Sequence, residues 1–219
     1  MSDSPRLPFL TLIYQQYLAN QDSAAFIRKV SHAYTQGTLE RLASHGSPDV
    51  RRSAVLALGF LGDYEANHAM GRALVDDDRT VRMLAENGIR NLWNRAGTQP
   101  QCQQLAIVIR LNTAQQYHQA LERATRLIAE APWFAEAWNQ RAVAHFALGE
   151  FQESINDCHQ ALEINPYHFA AASGMGQAYL HLGDHVSALE GFRRALRLNP
   201  NLEGARAQIA RLTKIIGER

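Results

Sequence analysis

The chain has 219 residues, 46% of them hydrophobic and 20% charged, an ordinary balance for one or two soluble folded domains. A formal net charge of +1 excludes a global attraction to nucleic acid or acidic membranes. Two cysteines, Cys102 and Cys158, exclude a disulfide framework, and nothing near them has zinc spacing, so a reduced cytoplasmic setting is expected.

The first apolar run, Leu7 to Tyr14, is interrupted by Thr11 and followed by Gln15 and Gln16. It is too short for a membrane helix and has no small-residue cleavage site, so it reads as a core helix. Residues 7–19 and 22–35 form two amphipathic stretches, with Tyr14, Tyr17 and Leu18 on the apolar face of the first and Phe26, Val30 and Tyr34 on that of the second. A repeat then begins. Val50-Arg51 returns at Val81-Arg82, Ala54 at Ala85, Leu58 at Ile89 and Leu61 at Leu92, each 31 residues on. Ser47-Pro48-Asp49 and Asp76-Asp77-Asp78 precede these helices, where a cap, an N1 proline and acids suit the positive helix end. Leu61-Gly62-Asp63 stops the first of them. Gly97-Thr98-Gln99-Pro100 is the expected joint to the second half, too short for a tether, so one continuous or sharply bent helical body is expected.

A different period follows. Pro132, Pro166 and Pro200 are 34 residues apart, and each closes a similar amphipathic stretch. A fixed period of this size means stacked helical units. In the same rows Gly149 aligns with Gly183, where a helix stops and the chain reverses. Small residues recur at Ala120, Ser154 and Ala188, where two helices of a hairpin cross closely, and again at Ala161 and Ala195. Asn165-Pro166 and Asn199-Pro200 end one hairpin and set the entry of the next. From Leu202 to Arg219 a lone helix continues the row as the cap that a stack needs.

These residues resemble tetratricopeptide repeats. Trp138, Gly149, Phe151, Ala161 and Pro166 match the pattern in the middle row, and Gly176, Tyr179, Gly183, Ala188, Phe192, Ala195 and Pro200 in the third. The resemblance is specific over 135–202 and weaker over 101–134, where Gln104 and Gln115 replace the usual tryptophan and glycine. Residues 37–96 resemble HEAT repeats of the short variety also found in phycobilisome lyases. The implied fold is an all-α, right-handed helical-hairpin solenoid. Its domains would be 1–98, helices and HEAT-like repeats, and 99–219, three tetratricopeptide hairpins (101–134, 135–168, 169–202) with a cap over 203–219.

The resemblance implies that the first helix of each hairpin lines the inner face. Helical spacing then selects Asn139, Val143 and Phe146 in the middle row. Steps of 34 add Leu105, Ile109 and Asn112 before it, Ser173, Gln177 and Leu180 after it, and Arg211 and Lys214 on the cap. The expected partner is a protein or peptide with an apolar segment and an acidic residue or carboxylate near Arg211 and Lys214, held along its backbone by Asn139 and Gln177. Family members that bind chaperone tails hold the carboxylate with lysine, asparagine and arginine. The matching positions here are Leu105, Ile109, Gln140, Ala170 and Gly174, so that ligand is not expected.

The expected function is a non-catalytic scaffold or adaptor, in the cytoplasm of a bacterium by the general style of the sequence, and its two repeat types suggest bridging between two partners. No catalytic residues, cofactor or metal are expected. His181 and His185 flank the turn at Gly183, so they fall on different elements, and His159 and His168 read as surface positions. No phosphate loop or nucleophile elbow is present. Two other functions have some support: chromophore handling through the lyase-like half, and nucleic-acid contact through the basic end from Arg193 to Arg219. The basic side chains there fall on different helix faces and stacking aromatics are missing, so nucleic acid is not the expected partner.

Overall fold

The computed structural model describes residues 8–217, and every regular element among them is helical. The fold is an all-α stack of helical hairpins. Contacts divide the chain into two compact units, one ending at Leu92 and one starting at Trp93.

The first unit opens with α1 (Phe9–Asn20) and α2 (Ser23–Ala33). Asp22 caps α2 by accepting a hydrogen bond from the Ala25 N–H at 2.9 Å. Tyr17 of α1 and Phe26 of α2 meet with ring centroids 5.2 Å apart, and both lie edge-on to Phe60 of the next pair. Tyr14 and Tyr17 thus face inward as expected, but Leu18 is 51% exposed; Leu10 and Ile13 fill the core in its place. Each residue turns an α-helix by about 100°, so Leu18 is carried past the apolar stripe that Leu10, Ile13 and Tyr14 define.

Next come α3 (Gln36–His45) and α4 (Pro48–Leu61), then a 3-10 turn (Tyr64–Ala66), α5 (Asn67–Ala73) and α6 (Arg79–Asn94). Ser47 and Pro48 start α4 and Gly62 ends it. The three consecutive acids do more than favour a helix start. Arg51 of α4 grips Asp76 bidentately at 2.7 and 2.8 Å, and Arg52 grips Asp78 at 3.0 and 2.5 Å. Asp78 also accepts the Val81 N–H at 3.0 Å, so one carboxylate caps α6 and anchors α4. The Arg52 guanidinium, against the cost of desolvation, holds the Asp78 carboxyl well below the usual carboxylate range.

The second unit is built on the 34-residue period. The pairs are α7 (Gln99–Thr113) with α8 (Tyr117–Glu130), α9 (Ala135–Ala147) with α10 (Phe151–Ile164), and α11 (Phe169–His181) with α12 (His185–Leu198). Helix α13 (Glu203–Gly217) packs on α12. Only residues 95–98 separate α6 from α7; Gln99 and Pro100 are already the first turn of α7, begun by a capping box between Thr98 and Gln101. Gly149 and Gly183 turn the second and third hairpins at φ +82° and +77°. Gln115 makes the equivalent turn at φ +59°, so the first hairpin keeps the geometry without the glycine. At the α11–α12 crossing a Cβ on Gly191 would lie 2.8 Å from the Gly176 Cα, so that crossing requires bare backbone.

Candidate functional site

The first helices of the hairpins sit side by side, α7 against α9 and α9 against α11. Between α7 and α9 lies a cleft of about 630 Å³. Ile109, Val143 and Phe146 give it an apolar wall, Tyr117 stands at one end, and Asn112 and Gln140 supply its polar groups. The Asn112 amide donates to the Gln140 carbonyl at 2.9 Å and to its side-chain oxygen at 3.0 Å, which clamps the two helices. Its own Oδ1 is buried and has no partner. A buried acceptor without a donor is costly, so this atom is held in place by the clamp that its own amide makes to Gln140.

The predicted lining residues fall into three groups. Ile109, Asn112, Val143 and Phe146 come together in the cleft. Val143 is 42% exposed, while Phe146 is half-buried, edge-on to Phe151 at 5.4 Å and to His181 at 5.1 Å. Two other residues are turned inward. Leu105 is 1% exposed, packed among Leu127, Ile128, Ala131 and Phe134, and offers nothing to a partner. Asn139 is buried with its amide donating to Glu136 at 3.0 Å, so it cannot hold a peptide backbone. Ser173 and Gln177 are half-buried on α11. Leu180 packs against Ala188, Leu189 and Phe192 and the cap, whereas Arg211 and Lys214 are exposed on α13.

Helical phase explains the two inward residues. The exposed face of α9 is centred on Gln140, Val143 and Ala147, about one residue from the face counted as Asn139, Val143 and Phe146. Gln140, Thr113, Tyr117 and Ala147 were therefore missed as lining residues. The steps of three and four around Val143 contain Gln140 and Ala147, but pattern alone does not choose between neighbouring faces.

His168 is the other departure. Expected at the surface, it is fully buried and begins α11, accepting the Ala171 N–H on Nδ1 at 3.1 Å. That bond leaves the proton on Nε2, which donates to the Glu136 Oε2 at 2.9 Å. Glu136 also receives the amides of Asn139 at 3.0 Å and Gln140 at 2.7 Å. Burial pushes the Glu136 carboxyl up, but the bonds from His168, Gln140 and Asn139 outweigh it and hold it below its ordinary range. The face of His168 stacks on Trp93 at 4.3 Å. This network joins the second and third hairpins and sits away from solvent.

No group of three or more metal-ligating side chains gathers among the described residues. His181 ends α11 and stacks on Phe151 at 4.7 Å, while His185 begins α12. Burial, with the Asp157 charge beside it, pushes the Cys158 thiol up to about 12, which keeps it protonated and unreactive. No described helix is long and apolar enough to cross a membrane.

Tetratricopeptide-repeat models match residues 135–168 and 169–202, and a HEAT-repeat model matches residues 24–124. That last match takes in α2 and runs on through α7. A TPR repeat-containing protein of Rhizobium etli is 33% identical over 139 residues, 61% of this chain and 66% of its own length. Tetratricopeptide repeat protein 37 of Xenopus laevis is 32% identical over 81 residues, 37% of this chain but 5% of that protein, so the chain spans only part of these relatives. Among solved structures, the first TPR of Spaghetti (RPAP3), bound to the HSP90 peptide SRMEEVD, superposes with a TM-score of 0.53 at 22% identity. It covers 55% of this chain and 96% of its own, a likeness of fold.

Proposed function

Because this chain is a tetratricopeptide-repeat protein with a HEAT-like region on its N-terminal side, we propose that it is a non-catalytic protein–protein adaptor holding an extended peptide against the first helices of its repeats. The observation that carries this is the cleft between α7 and α9, apolar along Ile109, Val143 and Phe146 and edged by the polar side chains of Thr113 and Gln140. An apolar side chain of the peptide would fill the cleft while its backbone meets Thr113 and Gln140, the usual division between anchoring and orientation. Arg211 and Lys214, exposed and tied by no hydrogen bond or ion pair among the described residues, favour an acidic residue of the same peptide. The positions that would clamp a chaperone tail carry Leu105, Ile109, Gln140, Ala170 and Gly174, so the acidic contact belongs on the cap.

Fluorescence polarisation with a library of labelled apolar–acidic peptides tests the reading. Val143→Glu puts a charge on an already exposed position, so the chain stays folded while binding falls at least about tenfold. Arg211→Ala/Lys214→Ala weakens the tightest peptides severalfold and more so at low salt. Peptides that bind the Val143→Glu chain as tightly as the parent would remove the cleft from the proposal.

A further inference from the structure

The second hairpin contains an ion pair that the third lacks. In the cleft between α9 and α10, Arg141 donates bidentately to Asp157, Nε and an Nη each at 2.7 Å. Trp138 lies over the guanidinium, 4.9 Å from ring centroid to carbon. The space left there is about 460 Å³. Thirty-four residues on, the corresponding cleft has Met175 in place of Arg141, Gly191 in place of Asp157 and Arg194 in place of Gln160. It opens to about 630 Å³, with α11 as its floor and α10 and α12 as its walls. Residue 191 cannot carry the carboxylate, because a Cβ there would meet the Gly176 backbone at 2.8 Å.

The third hairpin therefore has a cation in its cleft and no aspartate at residue 191 to pair with it. Arg194 is half-buried and makes no hydrogen bond or ion pair among the described residues. Arg197, also lining the cleft, is already paired with Glu190 at 2.7 Å, and His159 stands on the opposite wall. Met175, Tyr179 and Leu198 give the cleft an apolar side, and Ser187 and the Arg197-bound Glu190 complete its lining with Gly191. We propose that this cleft binds a small organic carboxylate with an apolar or aromatic body, its charge on Arg194 and its body on Met175, Tyr179 and Leu198. The ligand carboxylate supplies Arg194 with the partner that the chain does not, and the volume is within the usual range for small-molecule sites. This site is separate from the α7–α9 cleft, so either proposal can fail alone.

The test uses the full chain and phenylacetate, with phenylacetamide as its neutral counterpart, followed by NMR of the Met175 methyl and the arginine Nε–H groups. Phenylacetate is expected to shift both sets of signals saturably, and phenylacetamide to bind at least about tenfold more weakly. Arg194→Gln restores the residue type that the second hairpin carries, and it should weaken phenylacetate by about tenfold or more. Arg193→Gln removes the same charge one residue away, outside the cleft, and should leave binding within about twofold. Equal binding of acid and amide, equal losses in the two variants, or no saturable shift would each overturn the proposal.

Discussion

Glu136 and His168 are 32 residues apart in the chain and 2.9 Å apart in the structure. The carboxylate accepts three neutral donors, and its histidine partner caps the next first helix. Replacing it with Glu136→Gln keeps the shape but turns an amide N–H₂ toward donors that need an acceptor. The expected loss is about 2–3 kcal/mol, seen as a lower midpoint in denaturant. The sign of the pH dependence follows from the depressed carboxyl. Its stabilisation is fully present above the ordinary value of 4.5 and is lost as the pH falls through the lower folded value. The gap between parent and Glu136→Gln should therefore be widest near neutral pH and shrink in acid. A gap that stays constant from neutral pH into acid would show that the charge contributes nothing.

Each hairpin is one repeating element, and the turn that closes it recurs as Gln115, Gly149 and Gly183 with the same left-handed backbone. A side chain in that conformation costs about 1–2 kcal/mol, partly offset because glycine loses more freedom on folding. Gln115→Gly is thus expected to stabilise the second unit by about 0.5–1 kcal/mol, read as a raised unfolding midpoint with the helical content unchanged. Destabilisation would mean that the exposed Gln115 side chain makes a contribution larger than the relieved strain. The turn was legible as a column in the 34-residue rows even where its glycine was replaced, because the flanking helix starts kept register: α8, α10 and α12 begin at Tyr117, Phe151 and His185. The Arg51–Asp76 and Arg52–Asp78 pairs were only half legible. The acids were recognisable as helix-start residues, but their partners lie 25 and 26 residues away, beyond any local pattern.

Over the whole molecule, a net charge of +1 is accompanied by arginines already spent inside the fold. Arg51, Arg52, Arg141 and Arg197 each hold a carboxylate, and Arg206 donates to the Pro200 carbonyl at 2.8 Å. These five of the 22 basic side chains are held within the fold rather than gathered on a surface that could release counterions from a phosphate backbone. Electrophoretic mobility shift with duplex and single-stranded DNA should show no complex at micromolar protein and physiological salt. A salt-dependent shift would transfer the basic end from solvent-facing surface to nucleic-acid contact.

Helix spacing, hairpin count, turn positions and the repeat families could all be read from the chain by itself. Each depends on residues within a few turns of one another: proline and glycine at the ends, small residues at crossings, apolar side chains at steps of three and four. Only the tertiary structure decided how far each helix is rotated about its axis, which buries Leu105 and Asn139 and brings the half-buried Gln140 to the cleft. It also decided which polar groups are consumed by distant partners, as His168 is by Glu136, and which are left over, as Asn112 Oδ1 and Arg194 are. Those outcomes depend on contacts made across the stack, where one residue of helical phase turns a binding group into a core group.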